Sequence, residues 1–268
     1  NPANPLFSRV IVNRIWHHHF GQGLVKKPSD FGAGGGRPSH PELLDWLVDC
    51  FQQNNYSLKS LHRLIVTSMT YRQSSASRPD ALGRDRDNRL LWRFAPKRLE
   101  GEAVRDSLLQ AAGMLNTQQS GPSYEDVKEI HFNAGRYYHL IEVKGPKFDR
   151  RTIYRFSPRG ERDAILDTFD CPDPSATAPT RAVTTTPLQA LSLSNNVFVW
   201  RMADGLANRV RKEAGEALFG QVRRAWQLSL GRDPDETERS QASAMIAKHG
   251  LPSLCRALFN SSEFVVIE

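Results

Sequence analysis

The chain reads as mainly α, a multi-helix domain with a small β insert in the middle at about residues 128–156. Two observations carry that reading. Apolar residues recur at helical spacing behind capping residues in the first and last thirds, and only the middle is rich in aromatic and β-branched side chains with loose alternation. In addition, no apolar run approaches the ~18 residues that a bilayer span requires, so no membrane span is expected.

The elements follow in order. Asn4-Pro5 marks a helix start, with Pro5 in the first turn. Leu6, Phe7, Val10, Ile11, Ile15 and Trp16 make its apolar face; His17, His18 and His19 run off its end, and Gly21 and Gly23 stop it. Residues 26–37, with Gly32, Gly34, Gly35 and Gly36, must be loop. Ser39 and Glu42 have capping-box spacing around Pro41, and the helix behind them turns Leu43, Leu44, Leu47, Val48 and Phe51 inward. Ser57 opens a third helix carrying Leu58, Leu61, Leu64, Ile65 and Met69, and polar residues 74–88 read as a surface excursion. Residues 99–115 form a helix with Val104, Leu108, Ala111 and Ala112 inward and Gly101 as its weak spot.

Short strands are expected at residues 130–132, 137–143 and 152–156, and residues 157–179, rich in Pro, Asp and Thr, as an irregular crossing. Thr186-Pro187 starts a helix with Leu188, Leu191 and Leu193. After Asn195-Asn196 another helix runs to about Lys212, and three more lie at roughly 217–230, 234–248 and 252–260. The organisation this implies is a helical domain over 1–185 with the insert, and a C-terminal helical lobe over 186–268 packed on it as one unit.

At 268 residues the chain can bury a substantial core, and its 39% hydrophobic and 24% charged residues are those of an ordinary globular protein. It starts at Asn1 without Met and shows no secretory pattern, which reads as a fragment of a longer protein. The formal charge is +7, and only nine of the 36 basic residues are lysine. Arginine suits bidentate pairing with carboxylates or phosphates and buried ion networks. The basic residues are scattered rather than striped, so no nucleic-acid partner is expected. Cys50, Cys171 and Cys255 fit neither a disulfide scaffold nor a CxxC metal site, and no CxxCH haem-attachment motif exists.

The densest cluster of functional side chains lies in RVIVNRIWHHHFGQGLVKKPSD, residues 9–30. Consecutive helical residues point about 100° apart, so His17, His18 and His19 cannot face one ion, and the i, i+4 histidine spacing of a helical zinc site is absent. No metal site is therefore assigned, although one of these histidines could join His40 and Asp30 or Asp45. Arg9, Asn13 and His17 share one helix line, with Arg14 and His18 on the next; such a stripe binds an anion or a sugar, or forms a salt-bridge network. The glycines lack the register of a phosphate loop. Arg98, Glu100, Glu102, Arg105 and Asp106 make a charge-dense helix start that reads as an ion network, and Arg150-Arg151 precedes an aromatic stretch. No GxSxG elbow is present.

In order along the chain, NPLFSRVIVNRIWHHHFGQGLV, PSDFG, PSHPELLDWL, SLKSLHRLIVTSMTYRQSS, RLEGEAVRDSLL, TPLQALSLSNN and the tail LGRDPDETE with LCRALFNSSEF resemble the planctomycete PSD-one domain, domain of unknown function 1553. The resemblance covers nearly the whole chain. It implies an extracytoplasmic home and upstream domains that include a cytochrome c domain, an electron-transfer neighbour. Haem c is then expected only on that separate domain and no cofactor in this chain. The sequence departs from the family pattern at PSATAPTRAV, where Thr177 stands near an expected Cys and Arg181 survives, and over residues 124–149.

The expected function is a ligand-binding or interaction module for a polar or anionic ligand, a glycan among them, or for an electron-transfer partner. The pocket is expected at Arg9, Asn13, Arg14, His18, Asp30 and His40, with Arg72 and Arg151. The alternative is a hydrolytic or oxidative enzyme in which His18 or His40 acts as general base and Arg14, Arg72 or Arg151 stabilises negative charge.

Overall fold

A computed structural model describes residues 4–133 and 135–268. Helices dominate, as expected, and the only sheets among these residues are two-stranded. The chain divides into two compact units, one of residues 1–97 with 267–268 and one of residues 98–266. The lobe boundary expected at residue 186 thus falls inside the second unit.

In the first unit, α1 (Pro5–Phe20) starts at Asn4, whose side chain accepts the Leu6 N–H at 3.0 Å, and ends at Gly21 in the left-handed region. Its buried face is Ser8, Val12, Asn13 and Trp16, whereas Leu6 and Phe7 are more than half exposed. The expected face was therefore displaced, because a buried Asn13 takes a position that apolar spacing assigns to the surface. Helix α2 (Pro41–Gln53) buries Leu44, Leu47, Val48 and Phe51. Its cap is His40 rather than Ser39: the Ser39 N–H is committed to the Leu24 carbonyl at 2.8 Å and its hydroxyl to His40 Nδ1 at 3.0 Å, so no capping box forms. Helix α3 (Leu58–Thr67) is capped by Ser57 and buries Leu61 and Ile65, while Leu58 and Met69 stay exposed. The polar excursion contains one short helix, α4 (Pro79–Arg84). Val12, Trp16, Leu24, Val25, Leu44, Leu47, Phe51, Leu61 and Ile65 form one core.

In the second unit, α5 (Gly101–Ala111) buries Val104, Arg105, Leu108 and Leu109. Gly101 is not a weak spot but a close approach. A Cβ there would stand 3.2 Å from the Leu166 carbonyl oxygen and from Phe169 Cβ, on and just after α6 (Ala164–Thr168). That helix interrupts the stretch read as irregular, and Asp163 caps it by accepting from the Ile165 and Leu166 N–H groups. The insert is an antiparallel hairpin of Val127–Phe132 and Gly135–Leu140, with Ile130 opposite Tyr137. Thr152–Tyr154 is a 3-10 turn rather than a strand, since Thr152 gives its N–H and hydroxyl to Asp106 at 2.8 and 2.7 Å.

Helix α7 (Pro187–Asn195) opens with a capping box of Thr186 and Gln189; it buries Leu193, whereas Leu188 and Leu191 are exposed. The remaining helices, α8 (Val197–Ala214), α9 (Leu218–Leu230), α10 (Glu236–His249) and α11 (Leu251–Phe259), lie within a few residues of their expected bounds. They share one core with α5 and α6, centred on Met202, Leu206 and Val210 of α8. No helix among the described residues is long and apolar enough to cross a membrane.

Candidate functional site

The residues expected to line a pocket take separate places. Arg9 forms a half-exposed pair with Asp45 at 2.6 Å. Asn13 is fully buried and mimics a peptide: its Nδ2 donates to the Val25 carbonyl at 3.0 Å and its Oδ1 accepts the Val25 N–H at 2.8 Å. Arg14, His18 and Arg72 are exposed. Asp30 accepts the Gly32 N–H at 3.0 Å, and His40 is bonded to Ser39. Arg151, in the second unit, sits 3.5 Å from Asp106. Among the described residues no group of three or more His, Cys, Asp or Glu side chains could hold a metal ion.

What Asn13 and Asp30 do is shape the walls of a cleft in the first unit. Its volume is ≈ 570 Å³, and it opens between the end of α1, the glycine turn, Gly35 to Ser39, and residues 87–97. Gly21, in the left-handed region, turns the chain out of α1. Gly23 then packs so tightly that a Cβ would stand 2.6 Å from the Val25 carbonyl oxygen and 2.8 Å from Asn13 Nδ2. At Gly35 a Cβ would lie 1.8 Å from the Asp30 carbonyl oxygen, so this position requires glycine for close approach rather than for a phosphate. Lys27 Nζ closes the loop by donating to the Gly34 carbonyl at 2.9 Å. On the far side Asp85 accepts the Arg89 and Leu90 N–H groups at 3.0 and 2.7 Å, folding residues 85–91 back on themselves.

The cleft is basic. Lys26, Arg37, Arg89 and Lys97 line it against one acid, Asp87. Lys97 Nζ donates to the His18 carbonyl. Lys26, Arg37 and Arg89 form no ion pair among the described residues, whereas Arg105, Arg155, Arg181, Arg201, Arg209, Arg224 and Arg232 all do. Trp16 and Phe20, stacked with centroids 4.2 Å apart, supply apolar lining. Preorganised walls, a few cations and an apolar patch are what a pocket for a polar anionic molecule requires.

A second constellation lies in the second unit, where Cys171 and Arg181 border a groove of ≈ 420 Å³. Cys171 Sγ donates to Glu102 Oε1 at 3.6 Å, and Arg181 Nη1 lies 2.6 Å from Glu102 Oε2 and 3.3 Å from Glu100 Oε2. Burial pushes the Glu102 carboxyl up, but the Arg181 hydrogen bond, a backbone hydrogen bond, the Arg181 charge and the Cys171 thiol together hold Glu102 below the usual carboxylate range. Burial, then the Glu102 charge, pushes the Cys171 thiol up to about 11. Cys171 is thus a protonated donor at neutral pH, not a nucleophile. Its alkylation by iodoacetamide, followed by peptide mass mapping, is expected to accelerate about tenfold per pH unit until near pH 11, and Glu102→Gln to speed it at pH 8. A rate that levels off below pH 9 contradicts this assignment.

No local spacing links Lys26, Arg37, Arg89 and Lys97, which only the tertiary fold gathers. Glu102 stood out in its charged helix start, but nothing local joined it to Cys171 or to Arg181. No curated protein and no solved structure matches the chain. A family model described as a protein of unknown function (DUF1553), PSD1, matches residues 1–246, and the chain belongs to that family.

Proposed function

We propose that the first unit is a binding module for a polar anionic ligand, most simply a glycan bearing sulfate or carboxylate groups, held in the cleft beyond α1. The observation that carries this reading is the set of three cations, Lys26, Arg37 and Arg89, that line a preformed cleft and form no ion pair among the described residues. Planar guanidinium groups pair bidentately with sulfate or carboxylate, and the exposed part of Phe20 offers apolar surface to the C–H face of a sugar ring. Gln22, Ser39 and Asn88 add donors and acceptors for hydroxyl groups. Asn13 and Asp30 act as positioning residues, holding the glycine turn and glycine loop that form two walls.

The wider setting rests on the family resemblance: an exported multidomain protein in which a cytochrome c domain stands upstream, so that a bound ligand or the domain itself lies near an electron-transfer partner. A CxxCH motif upstream in the parent gene tests that setting.

Binding is tested by calorimetric titration with sulfated, uronic and neutral oligosaccharides of equal length. The anionic ones are expected to bind and the neutral one to bind at least about tenfold more weakly; Arg37→Glu with Arg89→Glu is expected to remove about 3 kcal/mol, a hundredfold or more in Kd. Equal affinity for charged and neutral sugars, or indifference to the double reversal, overturns the reading.

A further inference from the structure

The formal charge of +7 is unevenly divided: residues 1–97 carry 14 Lys+Arg against 7 Asp+Glu, whereas residues 98–268 carry 22 against 22. The first range is the first unit apart from residues 267–268, of which Glu268 is acidic, so the first unit stands at +6 and the second at +1. The surplus comes from scarce acids rather than from dense cations, and for that reason no basic stripe marks it in the sequence. Like charges in excess repel one another and favour an anionic partner.

Three of the first unit's acids are already committed. Asp45 pairs with Arg9 at 2.6 Å, Asp30 accepts the Gly32 N–H, and Asp85 gives one oxygen to the Arg89 N–H and the other to the Leu90 N–H. In the second unit, by contrast, arginines close on acids: Arg232 joins Glu238 to Glu263, and Arg209 and Arg224 share Glu213. Part of the first unit's surplus stands where the cleft opens. Lys26, Arg37 and Arg89 line it. Arg84 and Arg86, both exposed, flank Asp85, whose 3.0 Å bond to the Arg89 N–H sets their backbone beside that of Arg89. Neither forms an ion pair among the described residues, so the cations continue beyond the cleft lining along this turn.

We propose that the first unit holds a linear polyanion of sugar type, a sulfated or uronate polysaccharide, with one stretch in the cleft and the chain continuing over Arg84 and Arg86. The inference rests on the cleft reading and deepens it: the ligand is a polymer bound by a row of cations, not an oligosaccharide closed in a pocket. Single-stranded nucleic acid is held by aromatic platforms as well as by cations. Here Trp16 is only 5% exposed, which leaves Phe20 as the one aromatic ring of the lining with much open surface. A polymer that neutralises several cations releases its condensed counter-ions, so its affinity falls steeply with salt; a short oligosaccharide has few such ions to release.

The test measures affinity per binding site of the whole chain for dextran sulfate, a sulfated dextran tetrasaccharide and single-stranded DNA, at about 50 and about 200 mM NaCl. Dextran sulfate is expected to bind tightest and to lose about twentyfold or more between the two salts, the tetrasaccharide only severalfold. Arg84→Glu with Arg86→Glu is expected to weaken dextran sulfate about tenfold or more and to leave the tetrasaccharide within about twofold. Arg84→Gln with Arg86→Gln should move it in the same direction by less, so a misfolded reversal does not decide the outcome. Lys248→Glu, an exposed reversal in the second unit, is expected to leave both ligands within about twofold. If the tetrasaccharide binds through Arg37 and Arg89 but dextran sulfate ignores both pairs of Arg84 and Arg86 variants, the polymer inference is overturned and the cleft reading stands. No binding of either sulfated sugar overturns both. Single-stranded DNA bound as tightly as dextran sulfate also overturns the inference, because charge alone would then select the partner.

Discussion

Asn13→Ala is expected to destabilise the first unit by about 3 kcal/mol, one of the two largest effects of any single substitution considered for this chain. The side chain is fully buried and serves both the N–H and the carbonyl of Val25, itself buried. Truncation leaves a donor and an acceptor without partners, each costing ~1–3 kcal/mol, and opens a space beside Gly23 that the turn cannot fill without moving. Asn13→Asp is the sharper probe: it keeps the acceptor for the Val25 N–H, loses the donor for the carbonyl, and buries a charge, so it should cost at least as much. The measurement is the unfolding free energy from urea-dependent amide exchange in peptides covering α1 and residues 22–25. A loss below about 1 kcal/mol for both variants would show that the turn is held elsewhere. Because that turn is a wall of the cleft, weakened anionic-oligosaccharide binding should accompany the destabilisation.

Asn13 also marks where sequence reading stops. The helices from α8 to α11 were legible because their signals are local: a cap, an apolar repeat and a glycine or proline at the end, all within one window. The face of α1 was not, because a buried asparagine looks polar in any periodicity, and its reason for burial lies 12 residues away on a turn. Thr152–Tyr154 has strand-like composition, yet the Asp106 carboxylate captures the Thr152 N–H and bends the segment. Helix α6 was hidden behind prolines and aspartates that mark turns, although its own cap, Asp163, is of the usual kind. For the candidate site the limit is stricter. The excess of arginine over lysine did point to buried ion networks. Which cations form no ion pair among the described residues depends on which carboxylates the fold brings near each of them, and residues 26, 37 and 89 share no local pattern.

The networks that the arginine content foretold are strongest around the insert, where four arginines from three segments hold a stretch with few apolar contacts. Arg105 of α5 donates to the carbonyls of Arg150 and Phe148, both at 3.0 Å; Arg150 donates to those of Pro122 and Ser120 at 2.9 and 2.7 Å; Arg201 of α8 binds Asp149 through both oxygens. The Arg155 side chain is 3% exposed, less than those of Arg105 and Arg201, with Nε 2.7 Å from Asp126 Oδ2. Arg155→Leu is therefore expected to cost about 3–5 kcal/mol, since it leaves the Asp126 carboxylate buried without its cation. The pair is imperfect, however: Arg155 Nη2 and Asp126 Oδ1 find no hydrogen-bond partner among the described residues. That makes its net worth smaller than the cost of breaking it, so the double variant Arg155→Leu, Asp126→Leu should recover most of the loss. Amide exchange over residues 122–156 separates the outcomes. If the single variant costs less than about 1 kcal/mol, solvent reaches the carboxylate and the pair is not an anchor. If the double variant is as unstable as the single one, the two side chains hold the insert by shape and hydrogen bonding rather than by charge.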